Sequence, residues 1–410
     1  MSVIKKDFPI LIPKNVDMSK WAVIACDQHT TDRKYWDTLK EYIGDSPSTL
    51  NFIMPEVYLN DIDIDEKTQK VQENVINYES FCEYEEVHGA ILVERTTSNG
   101  SKRIGIVTCV DLEEYDIDIS KSPAIRVTEK VVLDRIPTRK AIRANSPIEL
   151  PHVILLYDDP TKNITAGLYE ERKKFRKLYD FDLNMNGGHL TGYLIPPEDG
   201  ILDKFDDLLD EKTQIAKYGI NAHLLLAVGD GNHSMLTAKM HWEDVKQGLS
   251  EEEKENHPAR YALVEIENIH DDAITFLPIY RNIYTDNVEA VIQILKIEMK
   301  GPKNLRLLYK DQEIFIPRPE SDAETLSSLQ SLLDRLKGQR MISKIEYVHD
   351  LDEVFSNVSK DDNCLGILNP VFPKDGLFKY VVESGALPKK SFSIGHENTK
   401  KYYLELKRIK

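Results

Sequence analysis

Ala222-His223-Leu224-Leu225-Leu226-Ala227-Val228-Gly229-Asp230-Gly231-Asn232-His233-Ser234 runs from an apolar stretch of strand length into a turn with two glycines, and a helix pattern with Met235, Leu236, Met240 and Trp242 follows at once. Buried strand, glycine turn and helix start occur in that order. Glycines in such a turn let backbone N–H groups approach an anion, and the helix N-terminus adds the positive end of its dipole. Asp230 can orient a metal or an attacking hydroxyl, His233 can donate to a phosphoryl oxygen, and Ser234 can cap the helix and touch phosphate. The same residues also describe a plain tight turn with an Asp and a cap. The Walker spacing and its Lys-Ser/Thr are absent, so the loop is no P-loop.

Outward from this loop, strand-like and helix-like stretches alternate along nearly all 410 residues, without low complexity or an internal period, which predicts a mixed α/β (α+β) class. Trp21 to Ala25 reads as a strand, and Arg33 to Ile43 as a helix capped by Thr31 or Asp32. Gly89 to Thr97 and Arg103 to Val110 read as a hairpin across Ser98-Asn99-Gly100. His152 to Tyr157 is a further strand, with helices from Ile164 to Leu178 and near Leu202 to Lys217. After Arg281 the polar motifs thin out, so we expect a site-bearing domain over 1–285 and a smaller α/β domain over 286–410.

The formal charge is −16, with 41% hydrophobic and 30% charged residues, the composition of a globular chain rather than a disordered or membrane one. No apolar run approaches the about 18 to 20 residues of a bilayer span, and Met1 to Lys14 lacks a signal-peptide core, so the expected location is the cytoplasm. Cys26, Cys82, Cys109 and Cys364 stand alone, without zinc spacing or a disulfide framework. The acidic balance argues against bulk binding to nucleic acid but leaves room for a local basic pocket.

A second cluster is Arg126-Val127-Thr128-Glu129-Lys130, followed by Arg135, Arg139 and Arg143. If Pro137 opens a helix, Arg139 and Arg143 share one face, suited to phosphate or carboxylate. A solvated basic face, or partners such as Asp134 and Glu129 within the protein, accounts for the same spacing. Glu129 is the candidate general base, since a carboxylate beside arginines stays ionised. Asp27 with His29, Asp158 with Asp159, His189 after two glycines, and His270-Asp271-Asp272 have ligand-type side chains, but no H-E-x-x-H spacing occurs and each also reads as a loop or cap. Lys389-Lys390-Ser391 could reach a phosphate or form a solvated strand end.

Leu11 to Lys14 with Trp21 to Gln28, Pro47 to Leu50, Asp111 to Glu113, Arg126 to Glu129, Glu149 to His152, Gly187 to Leu190 and Gly229 to Ser234 together resemble a bacterial family known only as domain of unknown function 1015. The resemblance runs over nearly the whole chain, including Leu387 to Phe392. Many members carry Asp-Gly-His-His-Arg in the central loop; here one His and the Arg are missing, so Arg126, Arg139 or Lys390 would supply charge. The loop is also similar to the phosphate loop of the ParB-like and sulfiredoxin-like fold, which includes an ADP-using kinase of free serine. That kinase pairs a glutamate base with its loop.

The resemblance implies a ParB/sulfiredoxin-like arrangement in the N-terminal two-thirds and phosphoryl transfer between free serine or phosphoserine and an adenine nucleotide, AMP, ADP or ATP. Glu129, Asp230 and His233 are then the catalytic candidates, with Mg²⁺ on Asp230. Gly229, Gly231, Asn232, Ser234, Arg126, Thr128, Arg139, Arg143, His189 and Lys390 are the phosphate and nucleotide candidates. The competing readings are a metal-dependent phosphoester hydrolase on Asp27, His29, Asp230 and His270, and a non-enzymatic nucleotide-sensing module.

Overall fold

Leu226, Ala227 and Val228 are fully buried, as expected of a continuous apolar run covered on both faces. They lie in a computed structural model that describes residues 2–59, 61–131 and 136–410; Asp134 and Arg135 of the basic cluster fall outside the described residues. The chain forms two compact units, one of Met1–Val127, Val131–Ile274 and Glu397–Lys410, the other of Thr128–Lys130 and Thr275–His396.

Ten strands build the main sheet of the first unit among the described residues: β1 (Ile4–Lys5), β2 (Ala90–Thr96), β3 (Lys102–Asp111), β4 (Tyr115–Asp116), β5 (Ile125–Val127), β6 (Ile154–Tyr157), β7 (Arg176–Leu183), β8 (Gly188–Ile195), β9 (Leu226–Asp230) and β10 (Tyr261–Asn268). Their order is β7-β8-β2-β3-β10-β6-β9-β5-β4, with β1 on β3. The sheet is mixed: β9 runs antiparallel to β6 and parallel to β5, so its last residue, Asp230, lies opposite Ile154. The β2–β3 hairpin turns at Gly100, whose φ of +84° only glycine adopts freely.

Helix α1 (Arg33–Ile43) starts where Asp32 accepts the Tyr35 N–H and buries Trp36, Leu39 and Ile43. Helix α2 (Ile136–Asn145) packs on α3 (Asn232–Val245), the helix that leaves the glycine turn and buries Met235, Leu236 and Trp242. The chain's end belongs to this unit because Tyr402–Tyr403 pairs with Val23–Ile24, and Lys407–Arg408 with Ile148–Glu149.

Some local expectations differ from the structure. The strand expected over Ala222 to Val228 begins only at Leu226, where its pairing with β5 and β6 starts, and runs on through Gly229 and Asp230. Trp21 closes a short helix, Met18–Trp21, whose Asp17 accepts the Ser19 N–H, and only Val23–Ile24 is strand. The helix expected to reach Leu178 ends at Glu171, because from Arg176 the apolar residues Tyr179 and Leu183 serve a strand paired with β8. The helix expected over Leu202 to Lys217 breaks at Asp210, whose carboxylate caps a new helix by accepting the Lys212 and Thr213 N–H groups.

The second unit centres on an antiparallel sheet of β11 (Tyr280–Tyr284), β12 (Lys303–Tyr309), β13 (Gln312–Arg318), β14 (Lys344–Val348) and β15 (Cys364–Leu368), in the order β13-β12-β15-β11-β14. Alternation puts Leu305, Leu307, Leu365 and Ile367 in a core with α4 (Val288–Glu298) and α5 (Asp322–Gly338), while Leu308 and Cys364 meet α6 (Leu351–Lys360).

Candidate functional site

The turn between β9 and α3 requires glycine twice over: Gly231 has φ +83°, and a Cβ there would lie 3.0 Å from Val153 Cα. Gly231 is the N-cap of α3 and no side chain among the described residues caps the helix, so Ser234 does not have the capping role its sequence position suggests. The bond from Met235 N–H to Gly231 O, 3.0 Å, comes after the N–H groups of Asn232, His233 and Ser234, which precede intrahelical pairing. Asp230 Oδ1 accepts the Gly231 N–H at 2.9 Å, and its Oδ2 lies 3.1 Å from Nζ of the buried Lys400. Asn232 Oδ1 is buried without a hydrogen-bond partner among the described residues. Helix-end amides, a buried ammonium and a carboxylate thus meet at one turn, an arrangement suited to a phosphoryl group and the hydroxyl that attacks it.

On another side of α3 lies a cavity of about 260 Å³, which Ser234, Met235, Thr237 and Ala238 help to line, whereas Gly229 to His233 do not. His152 stands in its wall. Its Nδ1 is 2.9 Å from Tyr403 Oη, and its Nε2 is 3.4 Å from Ser234 Oγ and 3.8 Å from Asp27 Oδ2. Tyr403 donates to Cys26 Sγ at 3.2 Å. Burial, then Asp27, pushes the Cys26 thiol up to about 12, so it stays neutral and serves as a weak acceptor.

The arginines have partners inside the protein. Arg139 pairs with Glu56 at 2.7 Å, and Arg143 pairs with Glu149. Burial alone would raise the Glu149 carboxyl, but Arg143 and Lys407 outweigh it and hold the group below its ordinary range. Arg126 is buried and donates to the carbonyls of Pro123, at 3.0 Å, and Ala222; it ties two segments of backbone together rather than facing a ligand.

Thr128 and Glu129 belong to the second unit, with Lys390. The Thr128 carbonyl accepts the Leu387 N–H at 2.7 Å. Glu129 accepts three backbone N–H groups, from Lys390 at 3.0 Å, Ser391 at 2.8 Å and Phe392 at 3.2 Å. Burial raises its carboxyl against the opposing pull of Lys390 and those amides. The geometry is that of a staple for the 387–392 loop. Lys390 itself, at φ +58°, offers its carbonyl to Arg281 at 2.8 Å.

His189 is held between Asp182 and Asp180, each at 2.7 Å, and the bond to Asp182 leads in raising its pKa. Its strand, β8, is five strand steps from β9, roughly 24 Å across the sheet at about 4.8 Å per step. The hydrolase set does not converge. His29 stacks on Tyr35 at 3.7 Å and meets Glu397 at 3.1 Å, while His270 meets Asp158 at 2.7 Å. Asp158 follows the end of β6 opposite to the one that faces Asp230, roughly 13 Å away at about 3.3 Å per residue. Among the described residues no three His, Cys, Asp or Glu side chains gather as ion ligands, and Lys400 already neutralises Asp230. These residues do not fit a resident Mg²⁺ on Asp230, so no step below is routed through one.

Lys400, His152 and Tyr403 were not singled out from the sequence. The available signals were the Lys400-Lys401 pair near the end of an acidic chain and the His that closes Glu149-Leu150-Pro151-His152.

A model of the family described as "Protein of unknown function (DUF1015)" matches residues 11–336. No curated protein matches the chain. Among solved structures, a mutant free serine kinase in complex with AMP shares 10% identity over 73% of this chain and 91% of its own, with a TM-score of 0.42. A conserved hypothetical protein from Pyrococcus furiosus shares 11% over 72% and 93%, at 0.39. SbnI with a C-terminal truncation, from Staphylococcus aureus, shares 8% over 71% and 82%, at 0.38. No helix among the described residues is long and apolar enough to cross a membrane.

Proposed function

The chain belongs to the DUF1015 family, and from that premise we propose that it is a phosphotransferase acting between free serine or phosphoserine and an adenine nucleotide. One observation carries the chemistry: the uncapped N-terminus of α3 meets the buried Lys400–Asp230 pair. The substrate class comes from the similarity of the loop to that of a free-serine kinase.

In this reading the N–H groups of Asn232 and His233, with Lys400 Nζ, hold the oxygens of the transferring phosphoryl group. The His233 side chain adds a donor. Asp230 takes the proton of the serine hydroxyl as it attacks the phosphorus, or returns it when the reaction runs from phosphoserine to nucleotide. Mg²⁺ arrives with the nucleotide phosphates as part of the substrate. Losing one well-placed donor typically lowers turnover by about 10² to 10³, so His233→Ala should do so while leaving the fold intact.

The test is phosphorus NMR of the protein with Mg²⁺ and phosphoserine, adding AMP, ADP or no nucleotide. Formation of ADP or ATP only when the shorter nucleotide is present supports the reading. Free phosphate without nucleotide makes the protein a hydrolase, and unchanged spectra in every tube overturn phosphoryl transfer.

A further inference from the structure

The Ser234–His152 pair has an orientation that phosphoryl transfer at Asp230 does not use. Tyr403 Oη lies 2.9 Å from His152 Nδ1 and 3.2 Å from Cys26 Sγ; with its O–H turned to the sulfur, it accepts from His152 Nδ1–H. That tautomer leaves the lone pair on Nε2, the nitrogen 3.4 Å from Ser234 Oγ. A hydroxyl facing a neutral imidazole whose other nitrogen is fixed by a buried partner is the general form of an activated nucleophile, and such contacts are commonly loose before substrate binds. Asp27 Oδ2 lies 3.8 Å from the same Nε2.

The cavity beside Ser234 indicates what it would attack. Phe52, Ile53, Val75, Ile142 and Leu150 supply apolar walls, and the two arginines there are already paired with Glu56 and Glu149. Its 260 Å³ is the space of eight or nine waters at about 30 Å³ each, enough for a short acyl chain.

We propose that Ser234 is a nucleophile, with His152 as its base, that takes the acyl group of a short-chain carboxylic ester seated in this cavity. Ser234 Oγ forms a bond to the carbonyl carbon as its proton passes to His152 Nε2, and the carbonyl oxygen becomes an oxyanion. The bond to the alkoxy oxygen then breaks, and His152 gives the proton to the departing alkoxide, releasing an alcohol. Water repeats the sequence on the acyl-serine, releasing the carboxylic acid and restoring Ser234. The proposal does not rest on the phosphotransfer reading.

The full chain is treated with a fluorophosphonate probe, the labelled peptide is identified by mass spectrometry, and p-nitrophenyl butyrate hydrolysis is followed in parallel. The expected result is labelling of Ser234, absent in Ser234→Ala. In His152→Asn, whose amide keeps a donor toward Tyr403 but lacks Nε2, labelling and hydrolysis should slow by about 100-fold or more. Near-UV circular dichroism establishes that both variants are folded. No label on the unaltered chain, a label on another residue, or an unchanged rate in a folded His152→Asn protein would overturn the proposal.

Discussion

Lys400 Nζ lies 3.1 Å from Asp230 Oδ2, joining the final segment of the chain to the last residue of a strand deep in the main sheet. The lysine is buried and the carboxylate about three-quarters buried, so each charge depends on the other. Lys400→Met should leave Asp230 without its cation. We expect a loss of about 1 to 3 kcal/mol in stability by urea unfolding and about 10² to 10³ in phosphotransfer rate by phosphorus NMR. Full activity in a folded Lys400→Met protein would remove Lys400 from the phosphate site.

Glu129 receives three amide N–H groups from residues 390–392, and its replacement by Ala strips all three of their acceptor. The expected outcome is about 2 to 3 kcal/mol of destabilisation, with faster hydrogen exchange at the Lys390, Ser391 and Phe392 amides. Unchanged exchange there would argue against the staple.

Gly231 combines φ +83° with a close approach to Val153, so Gly231→Ala meets both backbone strain and a 3.0 Å contact. About 1 to 3 kcal/mol of stability should be lost, seen as a lower denaturation midpoint with an unchanged m-value. Gly100→Ala, in a turn with open space around the added methyl, should cost only its backbone term of about 1 kcal/mol.

His241, on α3, is driven down to about 4 by burial first and by Arg143 second. Its folded pKa is therefore below the unfolded one of about 6.5, and as pH falls the unfolded chain takes up the proton first. Stability from this group is present above pH 6.5 and drains away between 6.5 and 4, by about 1 to 2 kcal/mol once solvent screening is allowed for. His241→Gln should flatten that part of the profile, measured by urea unfolding at pH 7 and pH 4.5. An equally steep acid limb in the variant would count against His241 as its source.

The presence of a strand ending near Val228, the turn at Gly231 and the helix from Asn232 were legible because apolar runs, glycine and helical spacing act within a few residues, whereas the strand's start at Leu226 was not. Helix α1 was legible for the same reason, with Asp32 as a local cap. The helix from Ile164 was legible, but its end was not, since the apolar residues beyond Arg176 serve a strand only because β8 is there to pair with. The basic cluster shows the same limit. Whether Arg126 meets a phosphate or a pair of carbonyls depends on Ala222, and whether Arg143 is free depends on Glu149; spacing within the cluster encodes neither contact.

By itself the sequence determined the mixed α/β character, the glycine turn and the absence of a P-loop, because these follow from backbone sterics and short-range periodicity. Tertiary structure alone decided which charges meet. It set Lys400 on Asp230, Tyr403 on His152, and Glu129 on the amides of 390–392. Those partners come from segments far apart in the chain, and a side chain's chemistry is set by the groups that burial brings against it.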